Sequence, residues 1–105
     1  MALRLINQVG RKIRNPTLDQ MRAELEGMDL SEQEHLRCSL EDERGWNLGY
    51  SVDRTVCFEN VEDREARPRH MSDVPMERVL ELWMALAEAR LDWLETQPWH
   101  PGYGS

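Results

Sequence analysis

The stretch that decides the fold runs Gly45-Trp46-Asn47-Leu48-Gly49-Tyr50-Ser51-Val52-Asp53-Arg54-Thr55-Val56-Cys57-Phe58-Glu59-Asn60. Trp46, Leu48, Tyr50 and Val52 recur at every second position, and Val56 and Phe58 resume the alternation past a turn. A period of two marks a strand with one buried face, so the stretch predicts a hairpin. Upstream, His35 to Leu40 alternates in the same way, with Leu36, Cys38 and Leu40 apolar. Side chains change face at every residue, so loop length decides which faces meet. A five-residue loop from Glu41 to Gly45 pairs Leu40 with Trp46 and sets Cys38 and Leu40 on the face of Leu48 and Tyr50. A three-residue loop from Asp53 to Thr55 pairs Val52 with Val56 and Tyr50 with Phe58. The same parity puts Asn47, Ser51 and Cys57 on the opposite face, away from Cys38, and predicts no disulfide.

Helices flank this centre. Asn15-Pro16-Thr17 opens the first one, with proline tolerated in the first turn and Thr17 and Gln20 at capping-box spacing. Leu18, Met21, Leu25 and Met28 then form one apolar stripe. Ser72-Asp73-Val74-Pro75 opens a second helix, whose apolar period from Met76 through Leu94 predicts a long element ending before Pro98. Leu82 and Trp93 lie off its main stripe, and residues 98 to 105 form an aromatic tail that folds back. Residues 1 to 14 fit either a short edge strand or a basic arm. Arg67 to Met71 fits an edge strand, and the charged run before it fits a surface loop. The expected fold class is therefore α+β: a small antiparallel sheet of three to five strands packed on an N-terminal helix and a long C-terminal helix. It forms one domain over 1–105.

Charge narrows the functions. The 105 residues carry 20 acidic and 13 basic side chains, a net charge of -7. Arg4, Arg11, Lys12 and Arg14 stand in the first fourteen residues with no acid, so the remaining 9 basic against 20 acidic residues leave -11 on the body. That balance argues against nucleic-acid binding, which needs cations to neutralise phosphates, and favours a basic protein partner. No apolar run is long enough for a membrane span and no secretory leader is recognisable, so the expected compartment is the cytoplasm, with reduced thiols. His35, His70 and His100 are dispersed and neither cysteine belongs to a C-x-x-C pair, so neither a metal nor a cofactor is expected.

The Asn15-Pro16-Thr17-Leu18-Asp19-Gln20 helix start, the Trp46 to Glu59 strand pair and Pro98-Trp99 after a C-terminal helix together resemble a family of bacterial immunity proteins. These are encoded beside polymorphic or contact-delivered toxins, some of them nucleic-acid deaminases. The order and spacing of the pieces carry the resemblance, while the basic start and Arg67 to Met71 depart from it. It implies a small cytosolic α+β protein that binds and neutralises one cognate toxin domain, with no catalytic motif to carry over. The contact groups expected are the turn acids Glu41, Asp42, Glu43 and Asp53 and the loop acids Glu62, Asp63 and Glu65. Trp93 is expected as an aromatic anchor, and the face near Asn47, Ser51 and Cys57 as a further recognition surface. An alternative is a non-inhibitory structural or adaptor protein that dimerises through its C-terminal helix. A third reading, an enzyme using Cys57, His70 and Glu59, matches no recognisable spacing. Nothing in the sequence assigns an oligomeric state.

Overall fold

The alternation at 46–58 is realised as the centre of an antiparallel sheet. The computed structural model describes residues 2–31, 37–63 and 65–103, and among these the elements run β1 (Leu3–Ile6), β2 (Lys12–Arg14), α1 (Leu18–Glu26), β3 (Arg37–Asp42), β4 (Trp46–Ser51), β5 (Val56–Asn60), β6 (Arg69–Met71), α2 (Met76–Ala87), α3 (Leu91–Glu95) and β7 (His100–Pro101). The strands form one seven-stranded sheet in the order β2-β1-β3-β4-β5-β6-β7. This corrects the expected sheet of three to five strands. The expected strand start at His35 and Leu36, the polar connection at 32–34, and Arg64 lie outside the described residues.

Residues 1 to 14 supply two of the extra strands. Leu5 pairs with Ile13 on one side and with Leu40 on the other. The Asn7 side chain closes the intervening turn by accepting from the Val9 and Arg11 backbone N–H groups at 3.1 and 2.9 Å. The basic start is thus an edge hairpin, with Leu5 fully buried. At the other edge His100–Pro101 adds β7 against β6.

The central register is displaced by two residues from the expected one: Leu40 faces Leu48, Leu48 faces Phe58, and Tyr50 faces Val56. A shift of two preserves parity, so Cys38, Leu40, Leu48, Tyr50, Val56 and Phe58 all face the core as expected. The β3–β4 turn spans residues 43–45, and the β4–β5 turn spans residues 52–54, one residue earlier than expected, closed by Ser51 N–H donating to Thr55 O at 3.0 Å; each ends on a left-handed residue, Gly45 at φ 93° and Arg54 at φ 67°. Gly45 N–H donates to the Asp42 carbonyl at 3.2 Å, and Arg54 N–H to that of Ser51 at 2.9 Å. This is the turn type that matches strand twist at that length.

All three helices contribute to the core on the same side of the sheet, with Met21 and Leu25 from α1, Val79 to Leu86 from α2, and Leu94 from α3. Thr17 and Gln20 form the reciprocal capping box. Leu18, expected in the apolar stripe, is 42% exposed because it occupies the first position of the helix, outside the buried face. The long C-terminal helix is corrected to two short ones. Ala89 takes φ 57°, its N–H donates to Leu86 O at 3.0 Å, and Arg90 N–H donates to Ala85 O at 2.8 Å. That bond pair is a Schellman stop, which glycine usually provides. The apolar period runs on because Leu94 is again buried after the break, so periodicity alone reads as one helix.

Two buried polar contacts fasten α2 and the segment leading into it to β4. The Trp83 indole donates to the Leu48 carbonyl at 3.0 Å, and Tyr50 Oη donates to the Val74 carbonyl at 2.7 Å. Phe58 stacks between Trp46 and Trp99, at centroid distances of 4.9 and 5.2 Å, and so seats the tail. No helix among the described residues is long and apolar enough to cross a membrane.

An L-residue in the left-handed region costs roughly 1–2 kcal/mol. Ala89→Gly is therefore expected to raise the unfolding free energy by about 1 kcal/mol, and Ala89→Val to lower it, as measured by urea denaturation.

Candidate functional site

With the helices on one side, the other face of the sheet is left to polar side chains. Residues directly opposite on neighbouring strands share a face, so Arg4, Glu41, Asn47 and Glu59 form a row across β1, β3, β4 and β5. The next row is Ser39, Gly49, Cys57, His70 and His100. Arg4 Nη2 lies 3.0 Å from Glu41 Oε1. Arg37 runs across Gly49, where an added Cβ would fall 2.9 Å from Arg37 Cδ, and its Nη1 comes within 3.8 Å of Glu59 Oε1. Only a glycine permits that close passage. Between the two carboxylates sits Asn47, 9% exposed, and its Oδ1 is the one buried side-chain oxygen or nitrogen among the described residues without a hydrogen-bond partner.

The tail covers the adjoining part of this face. Tyr103 Oη donates to Glu59 Oε2 at 2.6 Å, the Cys57 thiol contacts the Tyr103 carbonyl at 3.7 Å, and His70 Nδ1 lies 3.1 Å from the Gly102 carbonyl. Cys57, Glu59 and His70 are thus neighbours, brought together by register rather than sequence spacing. Each is engaged by the chain's own tail. Burial pushes the Cys57 thiol above its ordinary range, although nearby Arg37 opposes the shift. Cys38, on the core side, is pushed up to about 12 by burial, reinforced by Glu24. Both thiols are held as protonated, weakly reactive groups. Among the described residues no group of three or more His, Cys, Asp or Glu is placed to hold a metal.

The acids expected as contacts fall in three places. Glu41 is on the open face with its side chain 15% exposed. Asp42 is not a surface group: its side chain is fully buried, accepts from the Arg44 and Trp46 backbone N–H groups at 2.9 and 3.0 Å, and pairs with the Arg44 guanidinium. The parity that turns Cys38 and Leu40 inward also turns Asp42 inward once the strand runs two residues further. Glu43, Glu62, Asp63 and Glu65 are exposed at the same end of the sheet. Their two loops are tied together: Val61 N–H donates to Gly45 O at 2.9 Å, and Asn60 Nδ2 to Arg44 O at 3.2 Å. Asn60 Oδ1 also accepts from the Glu62 and Asp63 N–H groups. A Cβ on Gly45 would meet Asn60 Oδ1 at 2.5 Å, so glycine is required there for space as well as for φ. Below Glu43 and Glu62, an open groove of about 560 Å³ is shared by Glu41 with Arg4, Lys12 and Arg14 of the edge hairpin.

Asp53 lies at the opposite end, in the β4–β5 turn, where it accepts from Thr55 N–H at 3.1 Å. Trp93 is half-buried on α3 in the helical layer, with the Arg78 and Arg90 guanidinium carbons each 5.4 Å from its ring centroid. Neither joins the acidic end in the strand and loop pairings. Arg37 and Tyr103 enter the site without a sequence signal, since a close crossing over Gly49 and a returning tail are tertiary events. The chain matches no protein-family model, no curated protein and no solved structure.

A buried acceptor left unpaired costs about 1–3 kcal/mol. Asn47→Leu, of similar shape and apolar, is accordingly expected to stabilise the fold by about 1 kcal/mol in urea denaturation. The tail's cover is checked by thiol labelling. In a Cys38→Ser background, Tyr103→Ala is expected to speed modification of Cys57 roughly fivefold, the factor for losing a hydrogen bond of about 1 kcal/mol.

Proposed function

We propose that the chain is an immunity protein. It binds one bacterial toxin domain, of the kind that acts on nucleic acid, and blocks it non-covalently in the cytoplasm. The observation that carries this reading is the acidic end of the sheet, where Glu43, Glu62, Asp63 and Glu65 project from two loops joined by the Val61 N–H to Gly45 backbone bond and by the Asn60 side chain. Loops already ordered lose little freedom on binding. Their charge, on a body of -11, steers the protein toward the basic cleft that a nucleic-acid-acting toxin presents and competes there with phosphate. Val61, 59% exposed on the same loop, adds an apolar contact among the acids.

Binding is favoured over catalysis by the protonated, tail-covered state of Cys57. Dimerisation through the C-terminal helix has less support, because Leu82 and Trp83 of α2 are fully buried in the chain's own core.

Co-expression with the toxin encoded beside this gene tests the reading: the protein is expected to restore growth, and continued killing in the presence of soluble, folded protein would reject it. In the purified complex, the triple substitution Glu62→Lys, Asp63→Lys and Glu65→Lys is expected to slow association at least about tenfold at low salt. Asp53→Lys, at the far end of the sheet, should leave the rate within about twofold.

A further inference from the structure

We infer that the polar face of the sheet, at the buried Asn47, receives an arginine side chain of the bound partner once Arg37 moves aside. This deepens the immunity reading and rests on it. The register places Glu41, Asn47 and Glu59 side by side on three adjacent strands. Direct cross-strand neighbours have Cβ atoms about 4.5–5.5 Å apart, so three acceptor groups fall within roughly 10 Å of one another. The middle one, Asn47 Oδ1, is buried and has no donor among the described residues. Arg4 takes one oxygen of Glu41, and Tyr103 takes one of Glu59.

The missing group is a donor, and several facts indicate a guanidinium. It carries five N–H donors in a plane and no acceptor, so it can lie flat on a sheet, donate to the amide oxygen and still face a carboxylate on either side. A lysine ammonium is a strongly hydrated point charge without that fork. The chain already seats arginines here: the Arg37 stem lies on Gly49 and its guanidinium reaches toward Glu59. That contact, at 3.8 Å and with the Arg37 side chain 38% exposed, is too long for a hydrogen bond, and the other polar neighbour of Arg37 is the weakly accepting Cys57 thiol, so Arg37 is the group that gives way. The body charge of -11 favours a cationic occupant.

The test uses ¹⁵N-labelled protein titrated with N-acetyl-arginine methylamide, with N-acetyl-lysine methylamide and sodium chloride as comparisons. The expected result is a saturable shift of the Asn47 side-chain NH₂ signals and of the residue 41, 47 and 59 amides. The arginine probe should bind about fivefold more tightly than the lysine probe. Asn47→Leu should abolish the response while the rest of the spectrum stays dispersed, and Glu41→Gln should weaken it. An equal response to lysine or to salt, or an unchanged response in Asn47→Leu, overturns the inference. The growth assay separates the two claims. If wild type protects and Asn47→Leu and Glu59→Gln protect equally well, arginine docking fails and the immunity reading stands; if wild type does not protect, the immunity reading fails.

Discussion

The hydrogen bond from the Trp83 indole to the Leu48 carbonyl is the point on which the rest of the structure turns. Trp83 is fully buried, and its N–H would be an uncompensated donor in an apolar interior without that carbonyl. The bond therefore sets where α2 lies along β4. Tyr50, two residues on, repeats the device by donating to Val74 just ahead of the helix. With α2 held at Trp83 and the chain held at Val74 just ahead of its first turn, Val79, Leu82 and Leu86 join the core and the helices occupy one side. The opposite side becomes a polar face as a consequence.

That polar face is built differently from an ordinary solvated one. Ser39, Asn47 and Cys57 are all under a tenth exposed there; Arg37 lies across Gly49 and the tail reaches Cys57. The chain thus shields polar groups with its own long side chains and last residues, which are cheaper to move than a helix. Arg37 and Tyr103 are held by one long ion-pair contact and a few hydrogen bonds. A surface closed in this way can open locally without disturbing the core on the far side.

Much of this was legible in the sequence, because parity survives errors of register. Trp46 to Phe58 alternate so regularly that a two-residue slip leaves every core side chain on the correct face. The same slip hid Asp42, whose inward orientation depends on where β3 ends. Strands β1, β2 and β7 were hard to see for a different reason: with four, three and two residues, their pairing is decided by neighbours more than by pattern. The helix break at Ala89 had no sequence signal at all, since alanine is the best helix former and yet takes φ 57° here, where the Ala89 and Arg90 N–H groups close the helix end. The acidic end was readable as a composition of loops, but its rigidity was not, for it depends on Asn60 and Gly45 meeting across two turns.

The distribution of charge has a final consequence for recognition. Arg4, Lys12 and Arg14 do not oppose the acids from a distance; they share one groove with Glu41, Glu43 and Glu62. Exposed pairs of this kind contribute little stability. What they do is convert a uniformly negative end into a surface with a positive border along the β1–β2 hairpin. On the proposed immunity reading, a partner that is merely basic would be attracted by the outer acids Asp63 and Glu65 but repelled along that border, so close docking would require complementary charges in the right places. Long-range steering would then come from the net charge, and orientation and selectivity from the mixed groove. The edge hairpin, which adds strands to the sheet at one level, would on that reading also restrict which basic proteins dock at the acidic end.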